Sequence, residues 1–269
     1  MTTRFTAPIR RVNTARGHKY LDAHGARVPG VTTIIGDGIP KPALINWAAN
    51  ATADAAVNRW DELAGLPPAQ RLAALKSARY EDKDRAANRG TQVHMLAERL
   101  VNGEQVQAPD EIAGHVEAYA RFLDEYQVQP VFIEFSIASH KHGYAGTGDL
   151  ICKLTIPRRG VLLALTDLKT NRSGIFGETS LQLSAYRYAD VLITAAGEQP
   201  MPEVDDTFAV HVRGDGADLI PVTTTPDTFR AFLYAQQVAR WAKDSRDLVG
   251  APVERPAAST YRLVREDQQ

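Results

Sequence analysis

An acid and a base closing an apolar run are the first sign of chemistry in this chain. The stretch "LALTDLKTNRS", residues 164–174, reads as a buried strand that ends in Asp167, Leu168 and Lys169 before breaking into polar residues. Side chains alternate along a strand, so Asp167 and Lys169 share one face and Leu168 takes the other. The preceding apolar run contains Gly148 and Asp149, and a hairpin between the two runs brings Asp149 beside Asp167. Two carboxylates meeting at one point repel each other unless a cation or a proton lies between them. Hard divalent cations take oxygen ligands, and Mg²⁺ often uses one or two carboxylates with water and substrate phosphate. The carbonyl of Leu168 offers a further oxygen. An ammonium beside a metal-bound water orients it and balances charge on an attacked phosphate. Asp149, Asp167 and Lys169 therefore suit metal-assisted phosphodiester hydrolysis. An isolated D-x-K is usually only a solvated strand end, so its surroundings decide the matter.

The hydrophobic pattern sets those surroundings. "VFIEFSIAS", "YAGTGDLICKLTI" and "VLLALTDLK" read as three strands, with "HKHG" and "PRRG" short enough for hairpin connections. Helical spacing of Ala86, Gly90, Val93, Ala97 and Leu100 predicts a helix over 84–101. Ile112, Val116, Tyr119 and Leu123 predict another over 109–126. A helix from about Thr179 to Ala196 carries Leu181, Ala185, Tyr188 and Leu192 on one stripe. Strands follow in "DDTFAVHVRGD" and "ADLIPVT", then a last helix with Thr225 as its cap and Pro226 in its first turn. Near the start, "HKYLDAHGARVPGVTTII" has two β-prone pieces around a turn at His24 and Gly25. A helix begins near Pro42 and ends at "GLPPAQ", where a short one follows. From Gly250 the chain is Pro-rich and polar, which predicts a loosely held tail. The order predicts an α/β (α+β) fold, a central mixed sheet flanked by helices.

Other side chains can join the acids. Gln182 and Tyr186 are spaced i, i+4 and share a helix face. His94 lies beside an apolar stripe, and Glu98 one turn later either orients its imidazole or forms a surface ion pair. Glu134 has two readings: it reaches the metal face, or it is a solvated residue alternating with Phe132 and Phe135. Lys41, Lys141, His142, Arg172, Arg187 and Arg213 are expected to flank the site and neutralise phosphates, or to be ordinary surface charge.

Composition narrows the classes. The 269 residues carry 31 Lys plus Arg against 32 Asp plus Glu, so any nucleic-acid contact needs locally concentrated cations. Cys152 is the only cysteine, which excludes a disulfide framework, a four-cysteine zinc site and an iron–sulfur cluster. Its position three after Asp149 places it in the core. The first residues lack a signal peptide's apolar core and no run reaches transmembrane length, so a cytoplasmic protein without a membrane partner is expected.

"RGTQVH" ending in His94, "GTGDL" with Asp149, "DLKT" with Asp167 and Lys169, and "QLSAY" with Gln182 and Tyr186 occur in that order. Together they resemble the PD-(D/E)xK nuclease superfamily, in its RecB-type branch that includes many phage exonucleases. The likeness spans roughly residues 84–213, and "VPGVTTIIGDGIPKPALINWA" is similar to the N-terminal segment of phage members. Gly148 stands where the superfamily's name has Pro, as is common in the branch. The resemblance implies a restriction-endonuclease-like core over 84–248, an N-terminal extended and helical segment over 1–83 packed on it, and a tail over 249–269. It implies Mg²⁺ or Mn²⁺ held by His94, Asp149 and Asp167, with Lys169 catalytic and Leu168 adding its carbonyl. Gln182 and Tyr186 would support the site and contact DNA, with Arg172 beside them. The implied function is a DNA exonuclease in phage DNA processing, with recombination or replication proteins as partners. An endonuclease on the same fold and a non-cleaving DNA-binding module are the alternatives. Branch members with an iron–sulfur cluster are not a guide here, since one cysteine cannot hold it.

Overall fold

The computed structural model describes residues 8–14, 17–171 and 173–254, with the side chains of 82, 83, 85, 86 and 246 set aside. Arg172 and most of the expected tail lie outside the described residues. A small antiparallel sheet opens the fold, made of β1 (Arg10–Thr14), β2 (Gly17–Leu21) and β3 (Arg27–Val28). The turn expected at His24 and Gly25 is present. Asp22 accepts the N–H of His24 at 3.0 Å and of Ala26 at 2.8 Å, and Gly25 takes a positive φ of 79°.

The β-prone "VTTII" is helical, inside α1 (Val31–Gly38). Val31, Ile34, Ile35 and Gly38 are its buried residues, a one-face helical pattern that overrides β propensity. Gly38 permits the packing: a Cβ there would stand 2.1 Å from the Ala235 carbonyl oxygen. Next come α2 (Pro42–Asn58), α3 (Trp60–Ala64) and α4 (Pro68–Val101). The short helix and the 84–101 helix expected separately are one 34-residue rod, because no proline interrupts it after its first turn. It runs unbroken through residues 83 and 84. α5 (Asp110–Glu125) buries Ile112, Val116, Tyr119 and Phe122 against it.

The central sheet is then laid down by β4 (Gln129–Ser139), β5 (Tyr144–Ile156) and β6 (Gly160–Lys169). α6 (Glu178–Arg187) is nine residues shorter at its end than expected from Ala196. Val191, Leu192, Ile193 and Thr194 leave the helix to form β7 (Val191–Thr194), which pairs antiparallel with β4. The β-branched Val191, Ile193 and Thr194 suit that sheet edge, and Leu192 buries there instead of on a helical stripe. β8 (Gly197–Pro200), β9 (Asp206–Val212), β10 (Ala217–Pro221) and α7 (Pro226–Asp244) complete the fold. Thr225 caps α7 by accepting the Thr228 N–H at 3.3 Å.

Sheet order is β10-β9-β6-β5-β4-β7-β8, antiparallel except for the parallel pair β6–β9. It is a mixed sheet flanked by helices, as the pattern predicts. One core joins α1, α6 and α7 to Ile137, Ile151 and Leu165 of the sheet. A second joins α4 and α5 to Leu168 and Val210. Among the described residues, no helix is long and apolar enough to cross a membrane.

Gly38 and Gly36 lie on the same helix, but no atom stands within 4 Å of a Cβ at Gly36. Gly38→Ala should therefore cost about 1–3 kcal/mol through overpacking. Gly36→Ala should be neutral or stabilise by up to about 1 kcal/mol. Urea unfolding of the two variants checks the contrast.

Candidate metal centre

Register places three acids in a row. β4 pairs with β5 through Ile133↔Leu150 and Phe135↔Gly148, so Glu134 stands opposite Asp149. β5 pairs with β6 up to Leu150↔Thr166, and one step further Asp149 meets Asp167. The alternation of both strands slips at this row. Phe132 and Phe135 pack on the same core although they are three apart, and Tyr144 and Ile151 do so although they are seven apart. Glu134 absorbs the slip with a left-handed φ of 45°, rare for a residue with a Cβ. Such a conformation persists only where the surroundings impose it. Gly148 fits beside it because a Cβ would come 2.4 Å from Phe135 Cζ.

The slip turns Glu134 and Asp149 into a cleft lined also by His94 and Glu98 of α4, Tyr119 of α5 and Leu168. Ligand atoms of His94, Glu134 and Asp149 lie within 4.8 Å of one another. His94 Nδ1 stands 3.7 Å from Asp149 Oδ1. The Leu168 N–H donates to Asp149 Oδ2 at 2.6 Å, so Leu168 fixes the acid through its amide while its side chain packs in the α4–α5 core. Glu98 lines the same cleft and adds negative potential over Glu134.

Asp167 sits just behind. Its Oδ1 accepts from Gln182 Nε2 at 2.7 Å, and its Oδ2, which has no directed hydrogen bond, is in ion-pair contact with the Lys169 ammonium. Lys169 Nζ donates to Gln182 Oε1 at 3.0 Å, and Gln182 Nε2 donates to Tyr186 OH at 3.2 Å. The helical i, i+4 pair is thus a bracket that holds the acid and the base together. Tyr186 is 1% exposed, so it acts through Gln182 and does not reach a ligand, contrary to the DNA contact the resemblance implies. Asp167 is absent from the convergent donor cluster, and Glu134 takes the third place instead.

Crowding shows in the acidities. Burial, then the neighbouring Asp167, push Asp149 up to about 6, with His94, the Leu168 amide and Lys169 opposing. Burial, then Asp149 and Glu98, push Glu134 up to about 7, while Arg11 opposes. The donor set of one imidazole and two carboxylates, whose acidities stay raised although His94, Lys169 and Arg11 oppose the shift, fits a hard divalent ion such as Mg²⁺ or Mn²⁺.

The contacts that tie the N-terminal strands to β5 near this row were not legible in the sequence. Tyr20 of β2 shares a 2.6 Å hydrogen bond with Thr147 of β5, and His18 shares one of 2.9 Å with Tyr20. Arg11 of β1 contacts His18 at 3.4 Å and opposes the charge of Glu134. Among the expected flanking cations, Lys141 and His142 sit at the β4–β5 turn. They are seven or more residues along the strand from Asp149, roughly 20 Å away. Arg187 is spent on Thr224 Oγ1 and the Val204 carbonyl, and Arg213 on Asp218. Lys41 and Lys169 line a common hollow. Cys152 is buried, as expected.

No protein-family model matches this chain, and no curated protein matches it either.

The raised acidities have a definite sign. Each acid binds its proton more tightly in the fold than in the unfolded chain, so its contribution to stability is complete below about pH 4. That contribution is lost as the pH rises through about 6 for Asp149 and about 7 for Glu134. Glu134→Gln, which mimics the protonated acid, should make the metal-free protein more stable at pH 8, on the order of 1–2 kcal/mol. The advantage should vanish near pH 4. Thermal melts across pH in a chelating buffer check this, and added Mn²⁺ should raise the wild-type Tm at pH 8 more than that of Glu134→Gln.

Proposed function

We propose that the chain is a divalent-metal-dependent deoxyribonuclease that hydrolyses phosphodiester bonds, acting as an exonuclease. One observation carries this reading: a three-strand row of acids ending against a Lys169–Gln182–Tyr186 bracket. Carboxylates crowded without a function would be replaced by neutral residues at no loss, whereas here Lys169 is held by two partners at the edge of the row. The resemblance of the four motifs to RecB-type nucleases supports the same reading.

His94, Glu134 and Asp149 are the residues that would hold Mg²⁺ or Mn²⁺. When bound, such an ion lowers the pKa of a water and draws charge from a phosphoryl oxygen. The remaining work falls to the chain. Asp167 holds the Lys169 ammonium in place by an ion pair, and Gln182 fixes both in one orientation. Lys169 presents its ammonium where negative charge builds on a phosphate, an interaction strongest in a partly dehydrated cleft. Tyr186 anchors Gln182 from the core. Asp149 is aimed by the Leu168 amide, so the strand itself sets its direction.

The setting that goes with this reading is phage DNA processing or recombination within a bacterial host's cytoplasm. An endonuclease built on the same residues is the second reading, and topology of the substrate separates the two.

Wild-type protein should degrade end-labelled linear DNA with Mg²⁺ or Mn²⁺ and not with a chelator, and should leave a closed circle intact. Cutting of the circle would replace the exonuclease reading with the endonuclease one. Asp149→Ala and Lys169→Ala should each lower the rate by at least about 10²–10³-fold with unchanged circular dichroism. Full activity in either variant removes the mechanism.

A further inference from the structure

A second hollow, of about 270 Å³, shares Lys169 and Gln182 with the site described above. Its other walls come from Lys41, ahead of α2, and from Ile175, Phe176 and Glu178 at the entry to α6. Phe176 is 51% exposed, although half-buried Ile175 beside it shows that the loop can cover an apolar side chain. Core packing does not account for a ring left open in this way. Two ammonium groups, Lys41 and Lys169, stand around the same space. An open aromatic face bordered by cations is what single-stranded nucleic acid requires: bases stack on the ring and phosphates pair with the cations. A paired base inside a duplex has both faces covered by its neighbours, so it cannot use the ring.

We infer that this hollow seats one unpaired nucleotide of the DNA strand next to the cleaved bond, its base on Phe176 and its phosphate toward Lys41. This rests on the nuclease reading of Lys169 and adds a substrate class to it: strand ends that are single-stranded or frayed. The Glu178 carboxylate repels phosphate and accepts hydrogen bonds from base amino groups, which orients the nucleotide with its phosphate at the Lys41 end.

The probe is a short single-stranded oligonucleotide with phosphorothioate linkages and 2-aminopurine at its terminal base, titrated by fluorescence in Ca²⁺ buffer. Wild-type protein should quench the 2-aminopurine on binding. Phe176→Ala should lose that quenching and bind about tenfold more weakly, with an unchanged melting temperature. Phe176→Tyr should restore both. Lys41→Ala should weaken binding and lower the salt slope by about one while leaving the quenching of the bound probe intact. Wild-type affinity and quenching in Phe176→Ala would overturn the assignment. The two readings fail separately. DNA cleavage by a protein that gives no quenching removes the nucleotide seat and leaves the nuclease. Quenching that depends on Phe176 in a protein that cleaves nothing leaves the seat and removes the nuclease.

Discussion

Like charges held at close range in a medium that screens them poorly set the terms for this structure. Glu134, Asp149 and Asp167 lie side by side across β4, β5 and β6, where Asp167 makes Asp149 harder to ionise and Asp149 does the same to Glu134. The chain answers with a small set of counterweights: the Leu168 amide and His94 on Asp149, Lys169 and Gln182 on Asp167, and the more distant Arg11 toward Glu134. They offset part of the repulsion and leave the cleft with appetite for protons or for a cation. Both acids at its mouth titrate nearer neutrality than ordinary carboxylates do.

Geometry and electrostatics are linked through one backbone defect. Strict alternation would send Glu134 and its neighbours to opposite faces and put an apolar residue at the head of the row. The left-handed turn of Glu134 breaks the alternation in β4, and β5 slips in step at Asp149. The sheet stays hydrogen-bonded on either side of the defect while two carboxylates swing toward α4. The strain is local, held by the pairs Phe135↔Gly148 to Ser139↔Tyr144 on one side and Phe132↔Ile151 and Ile133↔Leu150 on the other, before the register shifts between Pro130 and Phe132.

What was legible in the sequence was whatever depends on neighbours close along the chain. The β5–β6 hairpin, the shared face of Asp167 and Lys169, the i, i+4 pairing of Gln182 with Tyr186 and the Thr225 cap all follow from local spacing. Features that depend on distant contacts were hidden. The backbone of Glu134 cannot be inferred from "VFIEF", where period two predicts an ordinary alternating residue. "VTTII" turned helical because α7 offered Gly38 a backbone to lie against, and residues 191–194 became strand because β4 had a free edge. Tyr20 gave no sign that it meets Thr147, more than a hundred residues away. The meeting of Asp149 with Asp167 was thus visible, but that Glu134 converges with His94 and Asp149 was a property of the fold.

The chain order of these pieces also implies an order of assembly. Asp149 and Asp167 belong to one hairpin and can meet early, while water still screens them. His94 must return from 55 residues upstream of Asp149, and the parallel strand β9 reaches β6 only after α6, β7 and β8 have been threaded between them. Closing such long loops is slow compared with hairpin formation. Repulsion between the acids therefore rises late, as β9 and the helices exclude water from a hairpin that is already made. The most conflicted part of the molecule is deferred until the rest of the chain is committed to hold it.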